Sequence, residues 1–178
     1  MTEKKPESML RLTVILLLVS ALMALVLSLT NYVTKDKIAQ RKYERVANSL
    51  KLVLEAEAYA PVAYEGGDSR ITGAYKAGDK GYVVLVSVSG SQGMIDMAVG
   101  VDPQGAVTGA SITGMVETAG LGTKAAGADW LAQFKGQSGA LAVNKDGGTI
   151  DAITGATVTS RAVTNGVNAA VDAAKTLG

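Results

Sequence analysis

The chain contains no histidine and no cysteine among its 178 residues. Without cysteine it cannot form disulfides, bind iron–sulfur clusters through thiolates or use thiol chemistry. Without histidine it lacks the commonest metal ligand and the side chain best suited to proton transfer near neutral pH. These absences argue against a zinc site, a Ser–His–Asp hydrolase and a histidine-ligated haem protein. Redox chemistry would therefore depend on an imported cofactor.

Aromatic residues and net charge are also scarce. Aromatic residues make up 4% of the chain, and its formal net charge is +1. Nucleic-acid-binding proteins ordinarily carry a basic surface and often stack aromatic rings on bases. The composition therefore gives no support to nucleic-acid binding. No run of closely spaced acidic residues resembles a calcium-binding loop, so we predict no metal site.

One long segment near the N-terminus is free of charged residues. It extends from Leu12 to Val33 and consists mainly of Leu, Val, Ile, Met and Ala. A helix of roughly 20 apolar residues crosses a bilayer core, whereas the apolar run of a cleaved signal peptide has about 7–15 residues. The segment also lacks a clear Ala-x-Ala cleavage site. We therefore expect an uncleaved transmembrane helix over 12–33, after a short N-terminal segment, 1–11.

Basic residues flank both ends of this segment, and more of them follow it than precede it. A plain positive-inside count would keep the domain after the helix in the cytoplasm. Charge counting alone leaves the orientation open. The flanking basic residues are Lys4, Lys5 and Arg11 before the helix and Lys35, Lys37, Arg41, Lys42 and Arg45 after it.

The remaining sequence predicts an α+β fold. A juxtamembrane helix, 34–60, is predicted to continue from the membrane span, because apolar residues recur at helical spacing over 35–59, and to end near Pro61. Strands with short turns between them predict an antiparallel meander, and a helix with a continuous apolar face ends the chain. The fold is therefore predicted as an N-terminal transmembrane helix followed by one domain, 61–178, with an antiparallel sheet flanked by helices.

The predicted elements of that domain are these: strands at 81–89, 94–101 and 106–113, a turn at 102–105, a glycine-rich loop at 114–122, a short helix carrying Trp130 and Phe134, a turn at 145–148, a short strand around 149–153, and a helix over 161–177 capped by Ser160 or Thr159.

The tetrad Thr154-Gly155-Ala156-Thr157 lies just before the last predicted helix. Such a position offers free backbone N–H groups, hydroxyls and the positive end of a helix dipole, which together favour a phosphate. Gly155 and Ala156 are small enough to let a ligand approach the backbone closely. Runs of Ser, Thr and Gly are also common helix caps. The residues alone therefore leave a ligand site and a structural cap both open.

The run from Asp151 to Thr157 resembles the acceptor sequence of the FMN-binding domain family. That pattern is an Asp, two or three residues, and then Ser/Thr-Gly-Ala-Thr. In the family a flavin transferase moves FMN from FAD onto the final threonine as a phosphoester. The resemblance implies covalent FMN on Thr157. A similar run, 71–75, has Tyr75 where the acceptor threonine belongs, so we interpret it as a strand entry or turn.

A second motif supports this resemblance, which covers most of residues 35–178. The run 117–122, Glu-Thr-Ala-Gly-Leu-Gly, is similar to the family's Glu-Thr-Pro-Gly-Leu-Gly loop, which packs against the flavin ring. Ala119 stands where the family usually has proline, so this loop lacks that source of rigidity. Trp130 and Phe134, followed by Gly136, resemble the family's Trp…Phe-x-Gly stretch.

The resemblance also implies a role for each candidate residue. Thr157 carries the phosphoester, while Thr154 and the backbone around Gly155, Ala156 and Val158 hold the phosphate oxygens. Lys145 either offsets the phosphate charge or is an exposed turn lysine. The other expected roles are flavin-ring contact for Thr118 and Leu121, loop positioning for Glu117, transferase recognition or loop organisation for Asp151, and core packing for Trp130.

A short chain with one anchor is similar to the FMN-carrying members of Rnf-type complexes, which are ion-translocating ferredoxin:NAD oxidoreductases. This implies an electron-transfer component without an active site of its own, partnered by other membrane and redox subunits, membrane lipid and a flavin transferase. It also places residues 1–11 in the cytoplasm and the FMN domain outside the cell membrane. Three alternatives remain: the C component of a Na-translocating NADH:quinone reductase, which is usually longer; a stand-alone extracytoplasmic flavoprotein; and a non-redox anchored binding or scaffold domain.

Overall fold

A computed structural model describes residues 6–178 of the chain. Residues 1–5, which include Lys4 and Lys5 of the predicted cytoplasmic segment, lie outside the described residues. The chain divides into two units, Met1–Tyr43 and Glu44–Gly178.

The apolar segment of the first unit is helical, as predicted. It belongs to helix α1, Pro6–Val53, and its side chains from Leu10 to Val33 are all exposed. The helix is long and apolar enough to cross a membrane. Four of its hydroxyl groups donate to the carbonyl four residues earlier, which satisfies these donors without water. They belong to Thr13, Ser20, Thr30 and Thr34, at distances of 2.9, 2.8, 2.8 and 2.7 Å.

Helix α1 ends earlier than predicted, at Val53 instead of Tyr59. The Tyr59 hydroxyl donates to the carbonyl of Leu54 at 2.6 Å and accepts the N–H of Ala56 at 3.2 Å, so this side chain closes the turn after the helix. Val53 and Leu54 are also buried in a small apolar cluster on the sheet. Tertiary contacts therefore override the helical spacing that continues beyond Val53.

The second unit contains a five-stranded sheet in which every neighbouring pair is antiparallel, in the order β1-β2-β3-β4-β5. This confirms the predicted meander and the α+β class. The run 71–75 begins a strand, which is one of its two predicted conformations. The first strand of the sheet, three residues long, was not predicted. The strands are β1 (Ala60–Val62), β2 (Ile71–Lys76), β3 (Tyr82–Ser89), β4 (Met94–Val101) and β5 (Val107–Met115).

One face of the sheet forms the main core against the last helix, α3 (Thr157–Leu177). Alternate residues of β3 and β4 face this helix because side chains alternate along a strand. Burying each of these large apolar side chains contributes about 1.5–3 kcal/mol. Gly166 allows close contact, since a Cβ there would lie 2.9 Å from the Met97 sulfur. The buried pairs across the strands are Val84 with Val99, Val86 with Met97 and Val88 with Ile95.

The other face receives the end of α1, and glycines allow the contact. Gly100 and Gly109 are neighbours in the sheet. A Cβ at these positions would lie 2.5 and 3.1 Å from the carbonyl oxygen of Val53. The Thr108 hydroxyl donates to the same carbonyl at 2.6 Å. The last residues of α1 are therefore packed directly on the backbone of the sheet.

The predicted short strand around 149–153 does not form. Ile150 makes one isolated parallel bridge with Val143. The short predicted helix before it is α2 (Ala128–Leu131), which is followed by a single 3₁₀ turn ending at Phe134. The next three N–H groups donate to side chains instead of to a neighbouring strand: Asp151 to Gln133, Ala152 to Asn144 and Ile153 to Ser160.

Candidate functional site

The tetrad 154–157 begins in a tight turn that joins the preceding loop to α3. The N–H of Ala156 donates to the carbonyl of Ile153 at 2.9 Å, which closes a β-turn. Gly155 occupies the third position of this turn with a φ of 79°. Glycine is the residue that adopts this left-handed conformation without steric cost. A Cβ on Gly155 would also lie 3.2 Å from Leu121 Cδ2 of the 117–122 loop.

Helix α3 starts at Thr157, four residues before the predicted start at Arg161, and the predicted cap by Ser160 or Thr159 is wrong. Ala156 is the N-cap residue, and no side chain caps the helix. Thr159 instead donates its hydroxyl to Glu117 Oε2 at 3.1 Å. The Ser160 hydroxyl donates to the carbonyl of Ala156 and accepts the N–H of Ile153. Both hydroxyls are therefore engaged inside the fold.

The uncapped helix leaves backbone donors free at the site. Within residues 6–178, the N–H groups of Thr157, Val158 and Thr159 have no hydrogen-bond acceptor. The N–H of Ala156, predicted to help hold the phosphate, already donates within the turn. Free N–H groups and the helix dipole together favour an anion at this end of α3.

The two neighbouring threonines differ in availability. The Thr157 side chain is half-buried, and its hydroxyl has no hydrogen-bond partner in the described part of the chain. Thr159 is 1% exposed and donates to Glu117. Of these two hydroxyls, that of Thr157 is therefore the one that is both accessible and unengaged.

The two sequence motifs meet in one cleft of about 320 Å³. Leu121 and Val158 present apolar surface to it, with 41% and 54% of these residues exposed. Thr118 lies beside them with a hydroxyl that has no partner among the described residues. Larger clefts elsewhere contain no residue of either motif, so the chemistry of the lining, not its volume, distinguishes this site. The lining residues are Ser91, Glu117, Thr118, Leu121, Gly122 and Gly155 to Thr159.

Glu117 connects three segments around this cleft. Its Oε1 accepts the N–H of Ser91, in the turn between β3 and β4, at 2.6 Å. Its Oε2 accepts the hydroxyl of Thr159 in α3. Glu117 itself follows β5, so its carboxylate holds the turn, the loop and the helix start together.

Comparison with known proteins identifies related chains. Residues 90–172 match the FMN-binding domain, and residues 1–53 match the RnfG N-terminal region. The G component of the Na⁺-translocating ferredoxin:NAD⁺ oxidoreductase complex of Acetobacterium woodii is 34% identical over 90% of this chain and 89% of its own length. The G component of the ion-translocating oxidoreductase complex of Escherichia coli K12 is 36% identical over 83% and 82%. The G component of the proton-translocating ferredoxin:NAD⁺ oxidoreductase complex of Clostridium ljungdahlii is 33% identical over 96% and 94%.

The chain belongs to this RnfG family. The FMN-binding match contains both motifs of the cleft, and the N-terminal match covers α1 to its last residue. The predicted FMN-binding domain family is thereby confirmed. A solved structure of the C component of the Na⁺-translocating NADH-quinone reductase from Parabacteroides distasonis is also similar, with 23% identity, a TM-score of 0.47, and coverage of 57% of this chain and 58% of that one. That likeness is too weak to support a conclusion.

Asp151, the first residue of the acceptor motif, organises the loop before α3 in this RnfG-family chain. Its carboxylate accepts from Asn144 Nδ2 at 3.0 Å, and its N–H donates to Gln133 Oε1 at 2.7 Å. Its carbonyl accepts the indole N–H of Trp130 at 2.7 Å. Trp130 is half-buried against the core, edge-to-face with Phe134 at 5.4 Å. Asn144 and Gln133 had no sequence signal, because their role depends on loops meeting in space.

Thr154 and Lys145 lie outside the cleft lining. Both are exposed: Thr154 in the turn before α3, and Lys145 in the turn 144–146. The neighbouring Asp146 forms an ion pair with Arg161, with Nε to Oδ2 at 2.7 Å. Hydrogen bonding from Arg161 holds the pKa of the Asp146 carboxyl below its usual value. The sequence analysis did not single out Arg161. Its position four residues after Thr157 places it one helical turn from Thr157 on the same side of α3.

Proposed function

We propose that this chain is a membrane-anchored electron-transfer subunit of an Rnf-type ion-translocating ferredoxin:NAD oxidoreductase, with FMN attached to Thr157. The observation that carries the proposal is the unengaged Thr157 hydroxyl at the uncapped start of α3, facing the 117–122 loop across one cleft. The relatives from A. woodii and C. ljungdahlii, named as subunits of ferredoxin:NAD⁺ oxidoreductase complexes, support the assignment to such a complex.

The lining of the cleft fits FMN in chemistry. Three free N–H groups at the start of α3 suit the phosphate, and Gly155 keeps the approach to them open. Leu121 and Val158 offer apolar contact for the flavin ring, and the Thr118 hydroxyl is free to hydrogen bond to its polar edge. FMN, when bound, supplies reversible electron transfer. The chain supplies position, orientation and electrostatics.

Attachment requires a flavin transferase and FAD. The bond that forms joins Thr157 Oγ1 to the FMN phosphorus, and the bond that breaks is the phosphoanhydride of FAD. AMP leaves, and the hydroxyl proton of Thr157 is released. The free hydroxyl and the adjacent N–H groups present the acceptor, and the base that removes the hydroxyl proton is assigned to the transferase. Two exposed residues complete the proposed set. Thr154 would contact the phosphate, and Lys145, in its turn, would offset the phosphate charge.

The proposed location of the domain explains why a covalent tether is useful. Helix α1 would hold the domain at the cell membrane, surrounded by lipid and beside the other membrane and redox subunits. On the extracytoplasmic side a dissociating flavin would be lost by dilution, and a phosphoester on Thr157 prevents that loss. The FMN domain is therefore assigned to that side.

In-gel flavin fluorescence tests the attachment point. The chain is produced with a flavin transferase and run under denaturing conditions, so that only covalent flavin remains. We expect fluorescence in wild type, Thr157→Ser and Thr159→Val, and none in Thr157→Val. The matched valine substitutions remove one hydroxyl each without changing volume. Fluorescence that persists in Thr157→Val, or disappears only in Thr159→Val, would refute the assignment.

A further inference from the structure

The cleft contains one carboxylate whose position is fixed from several directions. Glu117 accepts the N–H of Ser91 at 2.6 Å and the hydroxyl of Thr159 at 3.1 Å, with a longer contact to the N–H of Gln92 at 3.4 Å. All three donors are neutral. In the described part of the chain Glu117 forms no ion pair with a lysine or arginine, so its negative charge has no cationic partner.

Two glycines enclose this carboxylate. A Cβ at Gly90 would collide with Glu117 Oε1, and a Cβ at Gly122 would lie 2.6 Å from Oε2. Gly122 is buried, and it directly follows Leu121 of the flavin loop. The backbone therefore approaches the carboxylate closely on two sides, and a larger residue at either glycine position would displace it.

We propose that Glu117 lowers the reduction potential of the flavin by holding a fixed, uncompensated negative charge beside it. This rests on the proposed function, because the flavin must occupy the cleft that Glu117 lines. Reduction by two electrons with uptake of one proton leaves the flavin with one additional negative charge, which a nearby carboxylate disfavours. The interaction is stronger in a partly enclosed cleft than in bulk water.

The charge of Glu117 is separable from its positioning role. In Glu117→Gln the amide oxygen still accepts the N–H of Ser91, and the amide nitrogen donates to the Thr159 oxygen. The three segments therefore stay connected while the charge disappears. Thr159→Val is the complementary control, because it removes the hydroxyl donor and leaves the carboxylate charged with one fewer stabilising contact.

The test is a spectroelectrochemical titration of the full-length, flavin-loaded chain in detergent. We expect Glu117→Gln to raise the ratio of reduced to oxidised flavin about tenfold at a fixed applied potential, a positive shift of about 30 mV for a two-electron couple. Thr159→Val leaves the midpoint potential unchanged or makes it more negative. A merely structural disturbance would move both variants in the same direction.

Ser91→Lys provides a second variant, since this exposed position allows an ammonium group to neutralise the same carboxylate without changing a buried contact. It is expected to shift the potential in the positive direction too, whereas Ser91→Gln is not. If Glu117→Gln does not fold, the comparison of Ser91→Lys with Ser91→Gln tests the proposal instead.

Mass spectrometry of each sample separates the possible failures. Flavin-loaded Glu117→Gln with an unchanged or more negative potential overturns the role of Glu117 alone. A folded Glu117→Gln chain that takes up no flavin also overturns it, because the carboxylate would then serve attachment. Wild type made with a transferase but lacking FMN overturns the proposed function, and this proposal with it.

Discussion

At the scale of single residues, the acceptor motif has a physical reason for each of its small members. Gly155 supplies a positive φ in the turn, Ala156 takes the N-cap position without offering a capping side chain, and Thr157 stands first in the helix with a free hydroxyl. A better cap at Ala156 would occupy the N–H groups that a phosphate needs. The motif therefore leaves the start of α3 uncapped, with N–H groups available to the proposed phosphate.

The conformation of Gly155 leads to a first prediction. Gly155→Ala forces a side chain into the left-handed region and against Leu121, so we expect a loss of about 1–2 kcal/mol in stability together with reduced flavin loading. Gly67→Ala is the matched control, because Gly67 has a φ of 76° and open space around its Cβ position. It should lose stability but load flavin normally. Equal loading in both variants would contradict the proposed role of this turn.

The ion pair after the acceptor leads to a second prediction, in pH dependence. Arg161 lowers the folded-state pKa of Asp146, so the pair stabilises the fold above the unfolded-state pKa and loses that contribution as the pH falls through the folded-state value. A carboxyl-detected NMR titration should therefore show a pKa for Asp146 below its ordinary value, and Arg161→Gln should return it. Asp68, whose pKa is lowered by hydrogen bonding from Arg70, serves as the unchanged internal reference. No movement of the Asp146 pKa in the variant would refute the pairing in solution.

At the scale of elements, alternating strands and the helical face of α3 could be predicted from sequence, because their periodicity reflects burial on one side. The misses occur where side-chain hydrogen bonds, most of them from distant residues, determine the local structure. The Tyr59 side chain closes the turn that ends α1, and side-chain acceptors replace strand pairing around Asp151. Glu117 accepts a hydrogen bond from the Thr159 hydroxyl, which was expected to cap α3. Local pattern contains no information about such partners. The motifs, in contrast, implied through a shared flavin that the 117–122 loop lies near the start of α3.

The contact between α1 and the sheet leads to a third prediction. Gly100→Ala would place a methyl group against the Val53 carbonyl and Thr108 Oγ1, so we expect a loss of about 1–3 kcal/mol in the free energy of unfolding. Gly109→Ala, with more room at 3.1 Å, should cost less, and Gly73→Ala, 3.6 Å from Leu85, least of all. Denaturant unfolding monitored by circular dichroism measures the series. A reversed order would show that the helix end is not held as described.

At the scale of the whole molecule, one apolar helix and one compact domain combine an anchor with a cofactor site. The domain matches the FMN-binding family, and the helix matches the RnfG N-terminal region. The excess of basic residues after the apolar segment favours a cytoplasmic domain, whereas covalent tethering is useful on the outer side. The extracytoplasmic placement proposed for the domain follows the argument from covalent tethering and not the count of basic residues.

The absence of cysteine allows this sidedness to be tested directly as a fourth prediction. Ser138→Cys introduces a thiol at an exposed position of the domain, and Thr2→Cys introduces one before the helix. In intact spheroplasts a membrane-impermeant maleimide should label Ser138→Cys, and it should label Thr2→Cys only after lysis. The opposite pattern would place the domain in the cytoplasm, as the basic residues suggest.

The measurement that tests the central claim most directly is mass spectrometry of the natively produced chain. Trypsin cleavage after Lys145 and Arg161 releases the peptide 146–161, which contains the whole acceptor motif. We predict that this peptide carries the mass of one esterified FMN and that its fragment ions place the group on Thr157, not on Thr149, Thr154, Thr159 or Ser160. An unmodified peptide, or fragments that place the flavin on another residue, would contradict covalent attachment at Thr157.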